Sequence, residues 1–156
     1  MTAWFGKGGP VMWPLLALSL VAATVVFERF LFWARERRSD PRAGVDELGR
    51  EACVELAEQR LARGFAVLDT VITAAPLLGI LGTVLGVIDC FEVLSASSHP
   101  DPLAISGGVA EALITTATGL TIAVAVLLPY NYLRARTRAR LTEIEAALRA
   151  PAGEAA

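Results

Sequence analysis

The chain has few of the residues that enzymatic or metal chemistry usually requires. Its 156 residues include one histidine, His99, and two cysteines, Cys53 and Cys90. The cysteines fit no metal-binding or redox spacing, and no nucleophile–base pair or phosphate-binding glycine loop is visible. We therefore predict no cofactor and no metal ion, and enzymatic activity is the least favoured class of function.

Charge is also scarce, and it is placed unevenly. Charged residues make up 19% of the chain and hydrophobic residues 54%, and the mean hydropathy is +0.54. The apolar residues form three long uncharged runs, with most of the charge between and after them, which is typical of membrane proteins rather than small soluble domains. The sequence predicts an all-α membrane protein, with three transmembrane helices and helical cytoplasmic extensions.

The first apolar run extends from Val11 to Trp33 and is interrupted near its end by Glu28 and Arg29. A cleaved signal peptide is the alternative interpretation of this run. It is disfavoured because Lys7 alone supplies positive charge before the run and no small-residue cleavage site follows. We expect a transmembrane helix, with Glu28 and Arg29 as a local charge pair at its inner end.

The second run lies between Asp69 and Asp89, and the third between Glu111 and Arg134. Each is long enough to cross a hydrocarbon core of about 30 Å at about 1.5 Å per residue. Pro76 and Pro129 lie inside these runs, where neighbouring helices can satisfy the backbone groups that proline frees. Both runs are therefore predicted to be transmembrane helices.

Arginines indicate the orientation of these spans. They follow the first and third spans, whereas the loop between the second and third contains neither lysine nor arginine. By the positive-inside rule the N-terminus faces outward and the C-terminus lies in the cytoplasm. The predicted segments are an outer N-terminus (1–10), span 1 (11–33), a short cytoplasmic segment (34–66), span 2 (67–94), an outer loop (95–103), span 3 (104–133), and a cytoplasmic C-terminal helix and tail (134–156).

Two stripes of apolar residues predict the cytoplasmic helices. One lies between spans 1 and 2 and the other follows span 3, which is expected to continue as a helix into the cytoplasm. The stripes consist of Val45, Leu48, Ala52 and Leu56, and of Leu141, Ile144 and Leu148.

Glu111 is the strongest candidate for a functional residue. It lies about 12 Å along span 3 from its outer start, at about 1.5 Å per residue, and an ionisable group at such a depth usually faces a bundle interior or a watery cavity. An interfacial carboxylate that reaches the outer surface is the alternative. Thr115 and Thr118 share its helical face, and Thr83 of span 2 is expected at a similar depth. Small residues and threonines on both spans serve helix packing or line a polar channel.

The stretches APLLGILGTVLGVIDCF (75–91), GGVAEALITTATGL (107–120) and PYNYL (129–133) resemble the ExbB/TolQ/MotA proton-channel family. The similarity is greatest to the ExbB and TolQ branch, which the Glu28–Arg29 pair also matches. This resemblance implies a subunit of a bacterial inner-membrane motor that uses the proton motive force. It further implies a homopentamer around an ExbD- or TolR-type one-span partner, which carries the protonated aspartate, and force transfer to a TonB- or TolA-like protein.

Three positions match pore-lining polar residues of that family: Thr83, Glu111 and Thr116. Thr116 lies about 140° from Glu111 around the helix at about 100° per residue, so helical spacing alone favours Thr115, and all four are candidate residues of a proton path. The cytoplasmic segment is much shorter than in typical relatives, which leaves the branch and the force-receiving partner open. A non-conducting membrane scaffold, packed through small residues, is the alternative function.

Overall fold

The computed structural model describes residues 9–36, 50–96 and 102–149, and the chain forms four α-helices in these ranges. The helices are α1 (Met12–Glu36), α2 (Arg50–Ala62), α3 (Phe65–Ala96) and α4 (Pro102–Arg149). No strand occurs in the three described ranges. Helices α1, α3 and α4 are long and apolar enough to cross a membrane. The predicted fold class is therefore confirmed.

Two glycines with left-handed backbone conformations set the helix boundaries. Gly9 has a φ of 65° and Gly64, between α2 and α3, has a φ of 86°. The Met12 N–H donates to the Gly9 carbonyl at 3.2 Å, and the Leu68 N–H donates to the Gly64 carbonyl at 3.2 Å. Because glycine adopts this conformation without a Cβ penalty, both positions turn the chain into the helix that follows.

The helices agree closely with the predicted spans, although the borders of the membrane stay a prediction. Helix α3 extends slightly beyond the predicted range 67–94, and Pro76 lies inside it. Helix α4 continues without a break through the range 104–133 into the predicted cytoplasmic extension, with Pro129 inside it. The expectation that the third span continues as a helix is thus confirmed.

Helix α2 forms within the predicted cytoplasmic segment and packs against the end of α4. Leu61 and Ile144 are buried together, with Val54, Ala57 and Leu141 partly buried against them. Val45 and Leu48 of the predicted stripe lie outside the described residues. Leu56 of that stripe is 37% exposed, so the face of α2 that packs is formed by Val54, Ala57 and Leu61 and not by the predicted stripe.

Helices α3 and α4 form a tight antiparallel hairpin, and α1 lies along it. At the centre, Ala22 of α1 packs with Leu68 and Val71 of α3 and with Val126 and Tyr130 of α4. A second cluster joins the first turn of α1 to Ala75. Large apolar side chains on the outer faces of the hairpin are exposed, as expected for surfaces that face lipid or neighbouring subunits.

Candidate functional site

Glycines bring the backbones of α3 and α4 into direct contact. A Cβ built on Gly86 would lie 2.9 Å from the Ala112 Cβ, and one built on Gly82 would collide with the Thr115 side chain. This register places Thr83 within about one helical turn of Glu111 along the hairpin, at about 5.4 Å per turn. The similar depth that the sequence predicts for these two residues therefore agrees with the packing.

Thr116 makes a hydrogen bond across the hairpin. Its Oγ1 donates to the carbonyl of Gly79 at 2.7 Å. A Cβ at Gly79 would lie 3.0 Å from the Thr116 Cα, so the close approach that permits this bond depends on glycine. Thr116 is half-buried at this contact. It therefore ties the two helices together in addition to any role in a pore.

The other candidate threonines donate to carbonyls of their own helix. Thr115 Oγ1 donates to the Glu111 carbonyl at 2.9 Å, and Thr83 Oγ1 donates to the Ile80 carbonyl at 2.6 Å. Thr118 bonds in the same way to the Ile114 carbonyl. Thr115 is only 1% exposed, and its side chain packs on Gly82, so in the single chain it lies inside the hairpin contact. Thr83 is half-buried, which leaves its hydroxyl oxygen free to accept from water or from a partner.

Glu111 is half-buried and lies against the N-terminal turn of α1. Its carboxylate contacts the Gly9 backbone so closely that a Cβ at Gly9 would collide with Glu111 Oε1. Glu111 is nine residues beyond Pro102, the first residue of α4, which is about 14 Å along the helix. The backbone of Gly9, outside the hairpin, thus lies in contact with the Glu111 carboxylate. The Gly–Pro sequence at positions 9–10 predicts a turn, but no sequence signal places that turn beside Glu111.

Arg29 is a further buried polar residue, and its hydrogen-bond partner was not predicted from the sequence. Its side chain is 4% exposed, and Nη1 donates to the Arg60 carbonyl at 3.1 Å. The guanidinium also lies 5.3 Å from the centre of the Phe32 ring and packs beside Gly64. Glu28 is exposed. Glu28 and Arg29 therefore interact only electrostatically and form no direct ion pair, because Arg29 instead caps the C-terminal end of α2.

The described ranges contain no group of three histidine, cysteine or acidic side chains that could hold a metal ion. Cys90 is a free thiol whose Sγ lies 3.5 Å from the Ile105 carbonyl oxygen, across the hairpin. His99 and the side chain of Cys53 lie outside the described residues.

Comparison with known proteins agrees with the residues that form this hairpin. Residues 25–146 match the MotA/TolQ/ExbB proton channel family. The chain is 34% identical over 174 residues to the ExbB-like 1 biopolymer transport protein of Synechocystis, covering 83% of this chain and 68% of the relative. It is 31% identical over 113 residues to the Tol-Pal system protein TolQ of Pseudomonas aeruginosa, covering 71% of this chain and 49% of TolQ.

A third relative bears on the short cytoplasmic segment. The biopolymer transport protein ExbB of Aquifex aeolicus is 32% identical over 136 residues, which cover 87% of this chain and 85% of the relative. Since 136 positions account for 87% of 156 residues, this alignment has no room for a long insertion between spans 1 and 2. A short segment is thus compatible with the family. The chain belongs to the MotA/TolQ/ExbB proton channel family and is a multi-pass protein of the inner membrane.

Proposed function

We propose that this chain is the proton-channel subunit of an inner-membrane motor, which uses the proton motive force to energise transport across the envelope. In this proposal an ExbD- or TolR-like one-span protein supplies the titrating aspartate. A TonB- or TolA-like protein receives the force. The biopolymer-transport and Tol-Pal names of the relatives support this assignment.

The observation that carries the proposal is the position of Glu111. A carboxylate about 14 Å inside a mainly apolar helix is costly unless it serves a polar path or pairs with another group. Glu111 is half-buried, and its carboxylate contacts the Gly9 backbone. A charged or hydrogen-bonding function at this position accounts for the retention of an ionisable side chain in the hairpin.

We assign four residues to the proton path: Thr83, Glu111, Thr115 and Thr116. Thr83 is the clearest test of pore polarity among the threonines, because its hydroxyl bonds only to its own helix in the described residues. Thr115 and Thr116 also contribute to hairpin packing, so their substitution changes two properties at once.

In the proposed assembly, a ring of subunits encloses the proton path. We propose a homopentamer around the partner's spans, with the N-terminus outside and the C-terminus in the cytoplasm. The exposed apolar faces of the hairpin, including Leu77, Leu113 and Leu128, supply surfaces for neighbouring subunits or lipid. Native mass spectrometry of the purified chain should show a pentamer, and a monomer at every protein concentration would refute this stoichiometry.

Proton flux measures the proposed function directly. Each variant is co-expressed with the one-span partner, purified, and reconstituted into vesicles that contain a pH-sensitive dye. Glu111→Gln keeps the shape of the side chain and removes its titration, whereas Thr83→Val keeps the volume and removes the hydroxyl. We expect both variants to assemble normally. The flux should fall at least about tenfold in Glu111→Gln, because a charge-assisted hydrogen bond contributes about 1.5–3 kcal/mol. It should fall about twofold to tenfold in Thr83→Val, because a hydrogen bond of a neutral hydroxyl contributes about 0.5–1.5 kcal/mol.

Thr121→Val is the matched control for Thr83→Val. Thr121 is exposed and its Oγ1 likewise donates to a carbonyl of its own helix, that of Ala117. Its substitution should leave the flux unchanged. Normal flux in both Glu111→Gln and Thr83→Val, with assembly intact, would favour the non-conducting scaffold, for which the tight glycine contacts of the hairpin are sufficient.

A further inference from the structure

A cleft lies between the inner end of α1 and the continuation of α4. Its volume is 320 Å³, and its walls are formed by Phe30, Trp33, Ala34, Tyr132, Leu133 and Arg136. This volume falls within the range of about 300–1,000 Å³ that is usual for small-molecule sites. The cleft is distant along the helices from Glu111, since Glu111 lies 25 residues before Arg136 on α4, or about 37 Å.

The cleft combines apolar walls with one positive charge. Phe30 and Trp33 contribute apolar surface, and Tyr132 contributes an aromatic ring on which the Arg136 guanidinium stacks at 5.0 Å. Tryptophan and tyrosine are enriched where a membrane meets water, and Trp33 and Tyr132 flank the cleft at the end of two apolar spans. The cleft therefore lies where lipid headgroups meet acyl chains.

Arg136 differs from its neighbours in the arginine-rich part of α4. Arg134 donates to the Tyr130 hydroxyl at 3.2 Å, and Arg140 forms an ion pair with Glu143 at 3.0 Å. Within the described ranges Arg136 makes no hydrogen bond or ion pair, and as a residue it is half-buried in the cleft wall. The ring of Tyr132 holds the guanidinium in place while its N–H groups stay available to an anion.

We propose that this cleft binds an anionic phospholipid, with the phosphate group on Arg136 and the part of an acyl chain nearest the headgroup along Phe30 and Trp33. Guanidinium is the side-chain group best suited to phosphate oxygens, because it donates two parallel hydrogen bonds. The positive charges of Arg134 and Arg138 on the same helix raise the local potential for an anionic headgroup. A basic cleft between helix ends at this level is a favourable place for a lipid headgroup rather than for a soluble ligand.

Native mass spectrometry with defined lipids tests the proposal. The purified full chain is titrated with phosphatidylglycerol or with phosphatidylcholine, and the bound lipid is counted per chain. Arg136→Gln should weaken retention of phosphatidylglycerol about tenfold, because a charge-assisted hydrogen bond is lost. Arg138→Gln is the matched control, since Arg138 is exposed and the change in net charge is identical. Its retention of phosphatidylglycerol should fall by less than about twofold, because Arg138 contributes only to the long-range potential and not a hydrogen bond to the phosphate.

Each other outcome would overturn the proposal. Equal losses of phosphatidylglycerol retention in Arg136→Gln and Arg138→Gln would show that the lipid is attracted to the positive charge of the helix in general and not to the cleft. Equal binding of phosphatidylcholine, or displacement of phosphatidylglycerol by millimolar inorganic phosphate, would show that the site does not select an anionic lipid. A change in oligomeric state in Arg136→Gln, with lipid retention unchanged, would show that a second copy of this chain covers the cleft.

Discussion

The hydroxyl of Thr116 and the carbonyl of Gly79 join the two helices of the hairpin through a hydrogen bond of 2.7 Å. The bond crosses between α4 and α3 where both backbones are in contact, because Gly79 has no side chain to separate them. A residue that the family resemblance assigns to a pore thus also holds the hairpin closed. The two roles can be measured separately. The hydrogen bond to Gly79 affects the stability of the single chain, whereas a role in the pore affects proton flux in the assembled complex.

Thr116→Val should destabilise the hairpin, because the volume is kept and the interhelical hydrogen bond is lost. We expect a loss of about 0.6–1.7 kcal/mol in the free energy of unfolding, the range found for such bonds in membranes. Thr116→Ser keeps the hydroxyl and should retain most of that free energy. Unfolding in mixed detergent micelles, followed by circular dichroism, measures the difference. Equal stability of the valine and serine variants would show that the bond contributes nothing.

Gly119→Ala should destabilise the hairpin more strongly. A Cβ at Gly119 would collide with the Ala75 carbonyl and lie 3.1 Å from the Gly79 Cα, and backbone atoms cannot move aside as a flexible side chain can. We expect a cost of about 1–3 kcal/mol in the free energy of unfolding, as for other overpacked contacts. Gly107→Ala is the control, because a Cβ there meets nothing within 4 Å. If both variants unfold alike, close packing at Gly119 is not a source of stability.

The helices of this chain were predictable from sequence, because a membrane-spanning helix requires a long apolar run and arginines mark where such a run ends. The continuation of α4 beyond the third apolar run also followed from the spacing of Leu141 and Ile144. The contacts of the candidate site were less predictable. Helical spacing placed Thr115 on the predicted polar face with Glu111, yet its side chain is buried against Gly82. The packing of the two helices, rather than the spacing within one of them, decides which face meets the partner helix.

Contacts between distant segments account for the remaining differences. Gly9 lies beside Glu111 because of the position of α1 along the hairpin. That position depends on packing between distant segments, so no local sequence pattern predicts it. Arg29 was expected to pair with Glu28, its neighbour in sequence. Adjacent residues on a helix point about 100° apart, so Arg29 faces α2 while Glu28 is exposed.

The proposed orientation can be measured by labelling introduced cysteines. In a background that carries Cys53→Ser and Cys90→Ser, single cysteines replace Ser95 or Ala139. Both side chains are exposed in the single chain and lie on either side of the proposed membrane. An impermeant maleimide added to intact spheroplasts should label position 95 and leave position 139 unlabelled until the membrane is permeabilised. Labelling of position 139 in intact spheroplasts would reverse the proposed orientation.

Arg29→Gln should release α2 from the C-terminal end of α1. Arg29 is buried and donates to the Arg60 carbonyl near the end of α2, where helix carbonyls otherwise have no partner. A hydrogen bond from a charged group contributes about 1.5–3 kcal/mol, so local opening of α2 should become at least about tenfold more frequent. Hydrogen exchange of the backbone amides of residues 54–61, measured by mass spectrometry, reports this opening.

Arg63→Gln provides the comparison that separates this bond from the loss of a positive charge. Arg63 lies three residues beyond Arg60 and is exposed, so its substitution changes the net charge equally and leaves the carbonyl of Arg60 capped. Exchange in residues 54–61 should then stay at the level of the unmodified chain, and exchange in α3 should be unchanged in both variants. If the two substitutions accelerate exchange in α2 to the same extent, the positive charge near α2 rather than the Arg29–Arg60 hydrogen bond holds α2 against α1.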